Sequence, residues 1–156
     1  LKTLVLGLGN PILRDDSAGL RVAQKVREKL GDREATVIET SLFGPNLLDL
    51  LVGYDKAIIV DSIKTAGGKA GEVYRLREED FSPQPEAAGI HLVDPFTAMK
   101  IGKRWGLSLP REIVIIAIEA ADVTTFSEEC TPEVEQALPR AVEMVLRELR
   151  RKSPAD

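Results

Sequence analysis

Apolar residues recur along the chain with two different periods, and the switches between them outline a fold. Thr3–Leu6 is a short apolar run closed by Gly7 and Gly9, which predicts a buried strand running into a tight turn. From about Ser17 to Leu30, the positions Gly19, Val22, Ala23, Val26 and Leu30 fall on one helical face, and Gly31 stops the helix. Ala35–Glu39 predicts a second strand, Asn46–Val52 a short helix, and Lys56–Val60 a third strand that is apolar on both faces. Strands without a polar face belong in a parallel sheet covered on both sides. The rhythm therefore predicts an α/β fold: three αβα layers around a twisted, mostly parallel sheet of about five strands.

The second half completes the pattern. Glu72–Leu76 alternates apolar and polar positions after the Gly67-Gly68 turn, as an antiparallel edge strand would. Residues Phe81–Gly89 read as loop. Asp94-Pro95 reads as an N-cap and first helical position, opening a helix to about Trp105. Ile113–Ile118 is the most apolar strand. Thr131-Pro132-Glu133 opens a last helix whose stripe is Val134, Leu138, Ala141, Val145 and Leu149, with Pro139 expected to kink it or mark a seam. Residues 1–150 are expected to form one domain, with 151–156 a frayed tail.

Composition narrows the class. The 156 residues suffice for one core, and 44% apolar with 29% charged residues is ordinary for a globular protein. The formal charge is −4 with acids and bases interspersed, which argues against nucleic acid as a partner. The single cysteine, Cys130, excludes an internal disulfide and suits a reducing compartment. No apolar run reaches signal-peptide or membrane-span length, so the expectation is a cytoplasmic protein with no membrane partner.

In parallel sheets, ligands bind beyond the carboxyl ends of the strands. There this chain places Asn10, Asp15 and Asp16 after strand one, Glu39 after strand two, Asp61 after strand three, and Glu119 with Asp122 after the last. A rim of carboxylates repels itself, and a bound cation relieves that. The only histidine, His91, lies in the loop before the Asp94 helix, within reach of the same rim. Simpler roles stand beside these: Asp16 as an N-cap, Asp61 as a turn cap, His91 as a surface residue. Cys130 at a helix start could carry a depressed pKa, but an ordinary residue before the Thr131 cap is the simpler reading.

Two other patterns touch the glycine turn. Gly7-Leu8-Gly9-Asn10-Pro11-Ile12 opens like a dinucleotide fingerprint, with Glu39 where a ribose-binding acid would stand. Ile12 nevertheless replaces the third glycine, and Pro11 removes a backbone donor. The same string resembles the opening of bacterial peptidyl-tRNA hydrolases, but Arg14-Asp15-Asp16 stands where those carry a histidine. Neither a Gly-x-Ser-x-Gly elbow nor a His-Glu-x-x-His helix occurs.

Taken together, four segments resemble the hydrogenase maturation proteases. The strongest is Leu6-Gly7-Leu8-Gly9-Asn10-Pro11-Ile12-Leu13-Arg14-Asp15-Asp16-Ser17-Ala18-Gly19, similar to the family's glycine-asparagine turn and acidic pair. The others are Ile58-Ile59-Val60-Asp61-Ser62, Gly89-Ile90-His91 and Thr131-Pro132-Glu133-Val134, in the family's order across nearly the whole chain. Two departures stand out. Glu39-Thr40-Ser41 replaces the family's Asp-Gly-Gly turn, and Ala117-Ile118-Glu119-Ala120 replaces its Gly-Ile-Gln/Glu-Pro string, both in segments expected to face the substrate.

The resemblance implies an aspartic-type, metal-using endopeptidase. It would cut once near the C-terminus of a nickel-loaded hydrogenase large-subunit precursor, acting as a monomer. It implies Asp16, Asp61 and His91 as both catalytic residues and metal ligands. The Ni2+ would be supplied by the substrate, with Zn2+ or Cd2+ able to occupy the same donors. Two carboxylates and one imidazole suit a borderline divalent ion and leave coordination positions open. A nickel-binding chaperone that escorts the precursor uncut needs the same ligands, so that reading stays open here, as does a dinucleotide-binding protein.

Overall fold

The computed structural model describes residues 1–31, 35–41, 44–80 and 95–151. Five strands make one sheet: β1 (Thr3–Leu8), β2 (Thr36–Thr40), β3 (Lys56–Ile63), β4 (Val73–Leu76) and β5 (Glu112–Glu119), in the order β2-β1-β3-β5-β4. All neighbours pair parallel except β4, which runs antiparallel to β5 at the edge. The expected architecture is therefore present, including its antiparallel edge strand.

Alternation along the buried strands sends their side chains to two cores. Val5, Ile58, Val60, Val114, Ile116 and Ile118 pack under α1 (Ala18–Leu30) and α4 (Pro132–Arg150). Leu4, Leu6, Ile59, Ile113, Ile115 and Ala117 pack under α2 (Leu48–Leu51) and α3 (Pro95–Arg104). Both faces of the central strands are thus dry, which is why their sequence carries no polar face.

Several boundaries differ from the periodicity. A one-turn 3-10 helix, Arg14–Ser17, precedes α1, and another, Gly44–Leu47, precedes α2. Strand β3 does not end near Asp61 but runs three residues past Val60, because Asp61, Ser62 and Ile63 pair with Ala117, Ile118 and Glu119. Helix α4 is continuous through Pro139. Thr131 has the extended backbone of an N-cap but makes no capping bond; its hydroxyl is drawn to Asp15 instead. The predicted Asp94 cap lies outside the described residues. Among the described residues no helix is long and apolar enough to cross a membrane.

At the amino edge of the sheet, a buried ion network ties the layers together. Lys56 at the start of β3 pairs with Glu112 at 2.8 Å and Glu148 of α4 at 2.9 Å, and Arg75 of β4 pairs with Glu148 at 2.8 Å. Burial pushes the Glu148 carboxyl up, but the hydrogen bonds and charges of Arg75 and Lys56 outweigh it and hold the group below its ordinary value.

Candidate active site

The strand order makes the gap between β1 and β3 the switch point of the sheet. From β1 the chain steps to β2 on one side, while β3 lies on the other. A crevice opens at such a point, outside the carboxyl ends of the strands. Here the β1–β3 ladder ends at Gly7 and Val60, one residue before Asp61. Asp61 therefore stands where the two strands part.

Helix α1 brings Asp16 to the same place. A side chain at Gly19 would collide with the carbonyls of Leu8 and Val60, so the first turn of α1 rests directly on the two strand ends. Gly9, at φ +150°, lies against the Asp16 carbonyl in the same way. Asp16 is buried and does not cap α1; its Oδ2 accepts the Asn10 amide at 3.0 Å. Asp61 is buried too, and its Oδ1 accepts the Ser62 amide at 2.8 Å. The Ser62 hydroxyl reaches Asp16 Oδ1 at 3.4 Å, so one serine touches both acids.

His91, the third residue implied by the resemblance, lies outside the described residues. Among the described residues no three His, Cys, Asp or Glu side chains group as a metal centre needs. Helix α3, the first described element after His91, packs on the sheet face that carries Ala57 and Ile59, the face to which alternation assigns Asp61.

The other acids of the rim have structural employment. Asp15 is fully buried and accepts the amides of Ala121 and Asp122 at 2.9 Å each, the Thr131 amide at 2.7 Å, and the Thr131 hydroxyl. It fastens the loop after β5, and the start of α4, to the segment that carries Asp16. Asp122 accepts the Thr125 hydroxyl and the Thr124 and Thr125 amides, which hold its carboxyl well below the usual range. Glu119 accepts the Thr65 amide at 2.8 Å, the Thr65 hydroxyl and the Tyr74 phenol, closing the turn after β3. The Glu72 hydrogen bond, then burial, then the nearby Glu119 charge push the Tyr74 phenol well above its ordinary value. Glu39 is held by Gln24 and Arg27 of α1 at 2.7 Å each, so it is not poised for a ribose.

Two further expectations resolve. The Asn10 side chain accepts the Ile12 amide at 3.1 Å, so it builds the turn, and the Asn10 backbone N–H is committed to Asp16. Cys130 is buried beside Ser17, and burial pushes its thiol up rather than down. The residue that sequence reasoning passed over is Ser62; it stood next to Asp61 in a quoted motif, but only the folded structure brings its hydroxyl to Asp16.

A cleft of about 420 Å³ opens beside the start of α1 and the ends of β1 and β2, lined by Gly9, Ser17, Arg21, Glu39, Thr40 and Glu128 among others. Such a volume accommodates a few side chains of a ligand.

Comparison with known proteins gives a consistent result. A family model described as "Hydrogenase maturation protease" matches residues 20–148. The hydrogenase 2 maturation protease of Escherichia coli K12 is 26% identical over 156 residues, covering 96% of this chain and 92% of that protein. Among solved structures, the hydrogenase maturating endopeptidase HybD from E. coli superposes with a TM-score of 0.77 at 25% identity, over 96% of this chain and 93% of that one. The NiFe hydrogenase maturation protease HybD from Thermococcus kodakarensis superposes at 0.71 with 25% identity, over 96% and 100% of the two chains.

Proposed function

Because the chain belongs to the hydrogenase maturation protease family, we propose that it is the endopeptidase that removes a C-terminal peptide from the nickel-loaded large-subunit precursor of a NiFe hydrogenase. The observation that carries the reading is the meeting of two buried acids, Asp16 and Asp61, across Ser62 at the switch point of the sheet. Capping does not account for Asp16, and Asp61 sits inside a strand rather than at a turn. Both acids contact Ser62, and like-charged carboxylates gathered at one site repel, which a divalent cation offsets.

The nickel is substrate in this account: it arrives with the precursor, and Asp16, Asp61 and His91 contribute donors to it. Two carboxylates and an imidazole match a borderline divalent ion, and Zn2+ or Cd2+ would suit the same set. Requiring the ion to arrive with the precursor makes cleavage conditional on metal insertion. The reaction is hydrolysis: water adds to the scissile carbonyl carbon, the carbon–nitrogen bond breaks, and the leaving amine takes a proton. A carboxylate positioned beside the bond is suited to accept the proton of the water, and a nearby cation to polarise the carbonyl. In this reading the protein acts in the cytoplasm, as a monomer, on the precursor.

The reading is tested by Asp16→Asn and Asp61→Asn, which keep side-chain size and remove the charge. Each should abolish cleavage of nickel-loaded precursor while the unfolding midpoint stays near that of the unmodified protein. Near-normal cleavage by either variant would refute the site.

A further inference from the structure

Phe126 is 79% exposed and Ile12 46% exposed, and both sit on loops beside the candidate site. The two loops are joined as a short parallel bridge: the Ser127 amide donates to the Ile12 carbonyl at 2.9 Å, and the Arg14 amide to the Ser127 carbonyl at 3.0 Å. Neither loop is slack. Asp122 gathers the amides of Thr124 and Thr125, Asp15 holds the amides of Ala121 and Asp122, and the Ser127 hydroxyl accepts the Glu129 amide. A large aromatic side chain is thus presented to solvent on a braced support. Folding gains little from such exposure, whereas a partner gains from a preorganised apolar anchor.

This surface is continuous with the chemistry on one side and with the cleft on the other. Asn10, two residues before Ile12, gives its amide to Asp16. Pro11 and Glu128, next to Ile12 and Ser127, line the cleft. Within the cleft, Arg21 makes a side-chain hydrogen bond only through Nε, to Ser17 at 3.0 Å, and pairs with no carboxylate among the described residues. The neighbouring cationic side chains differ: Arg27 pairs with Glu39 and Arg14 with Asp122.

We propose that Ile12, Phe126 and Arg21 form the track on which the precursor's C-terminal segment docks. An apolar side chain of that segment would cover Ile12 and Phe126, and an acidic side chain would enter the cleft to meet Arg21. The proposal rests on the endopeptidase reading and adds the substrate chemistry recognised beside the cut. A planar, permanently charged guanidinium with free donors is suited to bidentate capture of a carboxylate.

Steady-state cleavage of intact nickel-loaded precursor tests the track, using Phe126→Ala, Arg21→Gln and, as a control, Trp105→Ala. Trp105 is also exposed, but it follows α3, which packs on the other face of the sheet from α1. Phe126→Ala and Arg21→Gln should each raise KM roughly tenfold with unfolding midpoints within about 2 °C of the unmodified protein, and Trp105→Ala should leave KM unchanged. The KM of the unmodified protein should also rise with ionic strength, and that of Arg21→Gln should not. Normal cleavage by the unmodified protein with unchanged KM in either track variant, or an equal rise in the Trp105 variant, would overturn the track while leaving the endopeptidase reading intact. No cleavage by the unmodified protein would overturn both.

Discussion

Replacing Asp15 by asparagine should unfold the site rather than disable its chemistry. Both oxygens of the fully buried carboxylate are used: Oδ2 accepts the amides of Ala121 and Asp122, and Oδ1 accepts the amide of Thr131. Asparagine has one acceptor oxygen. If that oxygen faces Ala121 and Asp122, the side-chain NH2 meets the Thr131 N–H, two donors face to face; the opposite orientation wastes two amides. At best one charge-assisted bond is lost, one buried donor is stranded, and the two surviving bonds lose their charge. Each such bond contributes about 1.5–3 kcal/mol, and a stranded buried donor costs a further ~1–3 kcal/mol. The expected destabilisation is thus about 3–5 kcal/mol, which in a domain of this size lowers the unfolding midpoint by roughly 10 °C. Thermal and urea unfolding followed by circular dichroism measure it, with Asp16→Asn alongside. An Asp15→Asn midpoint within about 3 °C of the unmodified protein would refute the assignment of Asp15 as the fastening of the β5–α4 loop.

Glu148 predicts an acid-sensitive contribution. Its folded pKa lies below the unfolded value, so its stabilisation is fully present above the ordinary Glu pKa of about 4.3 and is lost as pH falls through the folded value. Glu148→Gln should be destabilised at pH 7, with the gap narrowing in acid below about pH 4; a gap independent of pH from neutrality into acid would contradict this. Cys130 should be dispensable, because its thiol is buried and pushed upward. Cys130→Ala should cleave at a near-normal rate and the unmodified thiol should react slowly with iodoacetamide; abolished cleavage in a folded variant would point to thiol chemistry instead.

Much of the fold was legible because burial on both faces leaves its mark in composition. Strands β1, β3 and β5 are nearly continuous apolar runs, and the interleaved Val73 and Arg75 marked β4 as an edge. What periodicity could not show is where one ladder ends and another continues. β3 looked finished at Asp61 because a polar residue appeared, yet Asp61-Ser62-Ile63 still pairs with β5 after β1 has stopped. That mismatch in ladder length leaves Asp61 just past the end of the β1–β3 pairing.

The candidate site was legible in part for the same reason. The sequence placed seven polar residues past the strand ends without saying which were employed elsewhere. Glu39 is claimed by α1, Glu119 by the turn after β3, and Asp15 and Asp122 by the loop before α4. Those partners lie 12 to 116 positions away, or in local turns that hydropathy does not register. Glu148 was invisible for a related reason: a polar position in an amphipathic helix reads as solvent-facing until Lys56 and Arg75 are found beneath it.

The central claim is that the protein cuts a precursor only when nickel has been delivered to it. The direct measurement is intact mass spectrometry of large-subunit precursor after incubation with the pure protein, nickel-loaded in one sample and metal-free with an identical tail in the other. The account predicts one defined mass loss, mapping to the C-terminus, in the nickel-loaded sample and none in the metal-free sample. Equal cleavage of both would contradict nickel recognition, and an unchanged mass within a stable complex would make the protein a nickel-binding chaperone rather than a protease.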